Sequence, residues 1–139
     1  MKILVAAYTV LAIAAGARAA VQLATRADEA PVQYALSAAA AAIYLVLAIA
    51  LRRPERWRTL AFVAASVELA GVLAVGLAEQ LSPAAWPDET VWSGFGAGYG
   101  WAPLILPVAA LGVLGGHVLS LGRGAPRARK RAGCADEGA

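Results

Sequence analysis

The chain has 139 residues, room for one compact domain, and 60% of them are hydrophobic against 15% charged. A soluble domain carries roughly 45–50% apolar and about 25% charged residues, so a mean hydropathy of +0.65 points to a membrane. One Cys and one His exclude an internal disulfide and a Cys/His zinc site, and a net charge of +3 held between apolar runs reads as topology rather than nucleic-acid binding.

Four apolar stretches are long enough to cross about 30 Å of hydrocarbon, which takes roughly 20 helical residues. They cover residues 3–23, 32–51, 60–81 and 101–121. Backbone groups in lipid are satisfied only by helices or closed barrels, and runs without alternation exclude a barrel. The expected fold is therefore all-α, a four-helix transmembrane bundle over residues 1–121 with a basic, disordered tail over 122–139.

In the first span Tyr8 and Thr9 lie near the inner edge, within side-chain reach of Glu68 in the third, and Arg18, Gln22 and Thr25 share one face. Arg18 is expected to snorkel outward or to meet Glu79. A competing reading takes Lys2, the apolar run and Ala17-Arg18-Ala19 as a cleaved signal peptide, which would leave three spans. The second span carries Tyr44, about 12 Å from the inner edge. The link after it, residues 52–58, holds four Arg.

The third span contains Glu68 at the same depth as Tyr44, and Glu79 three helical turns later on the same face. Small residues between them, Gly71 and Gly76 included, form a stripe that would let a neighbouring helix approach closely. Intramembrane acids are costly and mark functional candidates. The candidate residues are thus Glu68, Tyr44, Arg18 and Glu79. Glu68 has three readings: a neutral carboxyl donating a hydrogen bond to Tyr44 or a backbone carbonyl, the carrier of a coupled proton or cation, or a contact for a partner's membrane helix.

Between the third and fourth spans, Trp86, Trp92, Tyr99 and Trp101 fit an outer aromatic belt. Glycines at alternate positions from Gly94 to Gly100 argue for a tight packed loop rather than a regular helix. Gly98-Tyr99-Gly100 lacks the Thr-Val pair and the preceding pore helix of a potassium filter. Pro103 suits a first helical turn and Pro107 should kink the fourth span, where Gly112 and Gly116 make a GxxxG pattern and His117 sits near the inner boundary. Cys134 is an incidental thiol in the tail.

Ten of the twelve basic residues fall at Lys2, in the 52–58 link and in the tail. The positive-inside rule then puts both termini and that link in the cytoplasm, with the acidic connections around Asp28-Glu29 and Asp88-Glu89 outside.

The aromatic-glycine loop running into Pro103-Leu104-Ile105-Leu106-Pro107 resembles a group of small bacterial four-span membrane proteins of unassigned activity. That resemblance implies a multi-pass protein of a bacterial plasma membrane and brings no catalytic residues. A looser likeness to the small multidrug resistance exporters rests on four spans and an embedded Glu. Theirs lies in the first helix, where this chain has Val10, and here the acid is Glu68 in the third. The sequence offers no nucleophile–base pair, nucleotide loop or metal-ligand cluster, so no catalytic residue, cofactor or metal is expected. The expected function is structural or interactive, in contact with the lipid bilayer and with a second copy or a partner membrane protein. The alternative is a small proton- or cation-coupled transporter using Glu68.

Overall fold

A computed structural model describes the backbone of residues 1–122 and the side chains of residues 1–116. The basic tail with Cys134, and the side chain of His117, lie outside the described residues. The chain forms four long helices, α1 (Lys2–Arg26), α2 (Pro31–Ala50), α3 (Pro54–Leu81) and α4 (Ala102–Gly122). No β-strand occurs among the described residues.

Three of the helices, α1 to α3, are each long and apolar enough to cross a membrane. A fourth span is counted if a bent pair is taken as one. A short 3-10 segment, Ser93–Tyr99, meets α4 at 95°, and the pair together pass the same test. Large apolar side chains such as Ile3, Val10, Ile13, Leu77 and Ile105 stand exposed around the outside. In water such a surface would aggregate, and in a bilayer it meets lipid.

Local chemistry explains where the helices start. Pro31 and Pro54 each occupy the first turn, where a missing N–H costs nothing and φ is already helical. Glu55 in the first turn of α3 complements the helix dipole. The third helix therefore begins at Pro54 and not at Leu60, and the Arg-rich link shrinks to residues 51–53. Hydropathy marks the bilayer-embedded part of a helix, whereas proline and the dipole mark its true start. The backbone departs from helical geometry at Trp57, with φ −112° and ψ 22°, and Arg58 beyond it donates to the Leu114 carbonyl of α4.

The links 27–30 and 51–53 are too short for anything but antiparallel neighbours, so α1 packs on α2 and α2 on α3, while α4 returns along α3 after the longer 82–101 segment. The seam between α1 and α4 is thin, and α1 and α3 face each other across the diagonal of the bundle without backbone contact. At one end the α1–α2 turn lies beside the segment that follows α3. Gln33 Nε2 donates to the Ala85 carbonyl at 3.2 Å, and the Tyr34 hydroxyl donates to Asp88 at 2.8 Å.

Candidate functional site

The centre of the bundle is polar. Glu68 on α3 is fully buried, and so are Tyr8 on α1 and Tyr44 on α2. The Tyr8 hydroxyl donates to Glu68 Oε2 at 2.8 Å, so a single hydrogen bond crosses the diagonal that the backbones leave open. Of the groups that depth brings within reach of Glu68, Tyr8 is the partner, and Glu68 accepts from it rather than donating to Tyr44. Its other oxygen, Oε1, has no hydrogen-bond partner among the described residues. Thr9, at similar depth, turns its hydroxyl back to the Val5 carbonyl at 2.7 Å and takes no part.

Tyr44 answers to a different partner. Its hydroxyl accepts the indole N–H of Trp92 at 3.0 Å, and its ring lies 6.1 Å from that of Tyr8, tilted by 37°. Trp92 is 4% exposed, so it leaves the outer aromatic belt and enters the core. A tryptophan has one apolar body and one polar handle, and both interface and core satisfy it when the handle finds an acceptor. Trp101, by contrast, is 48% exposed, as a belt residue can be.

The small residues of α3 receive this inserted segment instead of a neighbouring helix. A Cβ at Gly71 would come within 2.8 Å of the Trp92 ring, and one at Gly76 within 2.5 Å of Phe95. Gly71 is ten residues before the end of α3, so the indole sits about 15 Å below that end. Residues 91–101 are therefore a strap that dips into the bundle. Its entry is set by Thr90 and Ser93: the Thr90 N–H donates to Ser93 Oγ at 2.8 Å, and the Trp92 N–H to Thr90 Oγ1 at 3.1 Å.

The strap then makes one left-handed turn through Gly94, Phe95 and Gly96, at φ 55°, 60° and 83°. Two glycines take that conformation freely, while Phe95 bears about 1–2 kcal/mol of steric cost. Glu79 secures the turn by accepting the Gly94 N–H at 2.7 Å. Arg18 donates to the Glu89 carbonyl at 3.1 Å. Arg18 and Glu79 line one outer cavity of about 310 Å³, yet they form no ion pair among the described residues. Gly112 and Gly116 touch nothing where a Cβ would stand, so their GxxxG face packs against no element within the described chain.

Outside the spans, Asp88 is the perturbed acid. The hydrogen bond from Tyr34 holds its carboxyl below the usual carboxylate range, helped by the Glu89 N–H and by Arg26 and Arg18.

The site thus joins three helices and the strap through two hydrogen bonds, Tyr8 to Glu68 and Trp92 to Tyr44. No protein-family model, curated protein or solved structure matches the chain. What the arrangement can do chemically is limited and definite: it can tie helices together, and it holds one buried carboxylate oxygen free to take a proton, a cation or a donor.

Proposed function

We propose that the protein is a multi-pass component of a bacterial plasma membrane, with both termini in the cytoplasm. It acts by packing, with itself or with a partner membrane protein, and not as an enzyme. The observation that carries this reading is the sealed state of Glu68, fully buried and bonded across the bundle by Tyr8. Trp92 lies close by, on the Tyr44 hydroxyl and against Gly71, and adds to the seal from the strap side. A buried polar network of this kind fixes which helices meet and at what height. The distribution of Lys and Arg supports the orientation.

Transport of a proton or cation is the second reading, and the unpartnered Glu68 Oε1 is what favours it. An imposed pH gradient across proteoliposomes separates the two. With wild type and Glu68→Gln compared, and thermal unfolding in detergent followed in parallel, neither protein should pass protons. Flux in wild type that the Gln variant lacks, at equal stability, would replace packing with transport.

A further inference from the structure

Two cavities lie end to end on the outward side of the α1–α2 pair. The one nearer the Arg-rich link has a volume of about 650 Å³ and includes Lys2, Thr9 and Arg52 in its walls. The next, of about 340 Å³, shares Thr9 and Arg52 and runs along α1 as far as Gly16. From Lys2 to Gly16 is about 21 Å of helix, against about 15 Å for one leaflet of hydrocarbon. Apolar side chains wall the groove on both helices, with Ile13 and Leu45 standing more than half exposed at its rim.

Charged groups are confined to one end. The Thr9 hydroxyl is spent on its own helix, so the length of the groove offers no hydrogen-bonding demand. At the mouth stand Lys2 and Arg52, and neither belongs to an ion pair among the described residues. No acid lines either cavity; Glu55, next to Pro54, is exposed on α3. An apolar channel long enough to cover one leaflet, with two cations at its headgroup end, is complementary to one kind of molecule. Basic pockets between transmembrane helices on the cytoplasmic side hold anionic headgroups in this way.

We infer that this groove is a binding site for an anionic phospholipid, with an acyl chain along α1 and α2 and the phosphate between Lys2 and Arg52. The inference rests on the membrane reading above, but not on the role of Glu68. Each cation near the headgroup contributes about a fivefold change in affinity, from roughly 1 kcal/mol per basic residue.

The test is native mass spectrometry of the full chain released from detergent, titrated with phosphatidylglycerol or with phosphatidylcholine of the same acyl chains. Wild type should retain phosphatidylglycerol in preference. Arg52→Ala and Lys2→Ala should each weaken that retention about fivefold. Arg56→Ala removes an exposed cation that stacks on Trp57 away from the groove, and should leave retention unchanged. Ala42→Trp, a substitution at an exposed groove position that spares the core, should block retention. Equal retention of the two lipids would overturn the inference, and so would an Arg56→Ala effect as large as that of Arg52→Ala. Lipid-free dimers that Ala42→Trp dissolves would assign the groove to a second copy instead. Recovery of the chain in the soluble fraction without detergent would remove the membrane reading itself, before any lipid is added.

Discussion

Glu68 accepts one hydrogen bond and has a second oxygen that no described residue fills, and the two oxygens predict different mutational costs. Tyr8→Phe would strip the carboxyl of its partner and leave a buried polar group unsatisfied, which costs about 1–3 kcal/mol. Glu68→Gln keeps an oxygen for Tyr8 and places an amide where Oε1 stands, so its cost should stay near the average of about 0.6 kcal/mol for a bundle hydrogen bond. Unfolding in mixed detergent micelles should therefore rank Tyr8→Phe below Glu68→Gln in stability, and the reverse order would mean that Tyr8 is not the partner. Asp88 makes a separate, pH-dependent prediction. Its folded pKa is depressed, so its contribution is present above the unfolded carboxylate value of about 3.9 and is lost as pH falls through the folded one. Acidification from pH 5 to pH 2 should destabilise wild type more than Tyr34→Phe, which lacks the hydroxyl that does the depressing. Equal acid sensitivity in the two proteins would remove the Tyr34–Asp88 bond from the account.

The strap is the element on which sequence and structure diverge most instructively. Alternate glycines from Gly94 to Gly100 signal an irregular packed segment, and the left-handed turn at Gly94–Phe95–Gly96 is one. A Cβ at Gly76 would lie within 2.8 Å of Phe95 Cγ, near the root of the ring, where rotation gives little relief. Gly76→Ala should thus force the strap outward at about 1–3 kcal/mol, the usual cost of overpacking. Gly98→Ala meets nothing within 4 Å and should be tolerated, so the pair isolates the effect of the seat from that of losing a glycine. Equal thermal stability of the two variants in detergent would show that Phe95 is not seated on α3. The small stripe of α3 is visible in the sequence as a place of close approach. What fills it is not, because glycine records that space is scarce and says nothing of the neighbour. Trp92 is opaque for a related reason: its amphipathic ring satisfies a headgroup belt and a core equally well until Tyr44 is known to be within reach.

Across the whole molecule, height is legible in the sequence and azimuth is not. Counting residues along each span puts Tyr8, Tyr44 and Glu68 at similar depths, but only packing decides that α1 and α3 stand diagonally and that Tyr8 reaches Glu68. The alternation of α1, α2 and α3 is different, since the short links 27–30 and 51–53 permit little else. At one end α1 and α2 are tied to the acidic segment after α3 by Tyr34 to Asp88, Gln33 to Ala85 and Arg18 to the Glu89 carbonyl. The other end carries Lys2 and the four Arg of residues 52–58. Those cations resist translocation, so the acidic end should be the exported one. A reporter that works only in the cytoplasm should be active when fused after Arg58 and silent when fused at Asp88. Activity at Asp88 would invert or break the proposed four-crossing arrangement. Activity after Arg58 with silence at Asp88 requires α3 to cross the membrane, and with it the strap, the Arg18–Glu79 cavity and the groove along α1 and α2 acquire their sides.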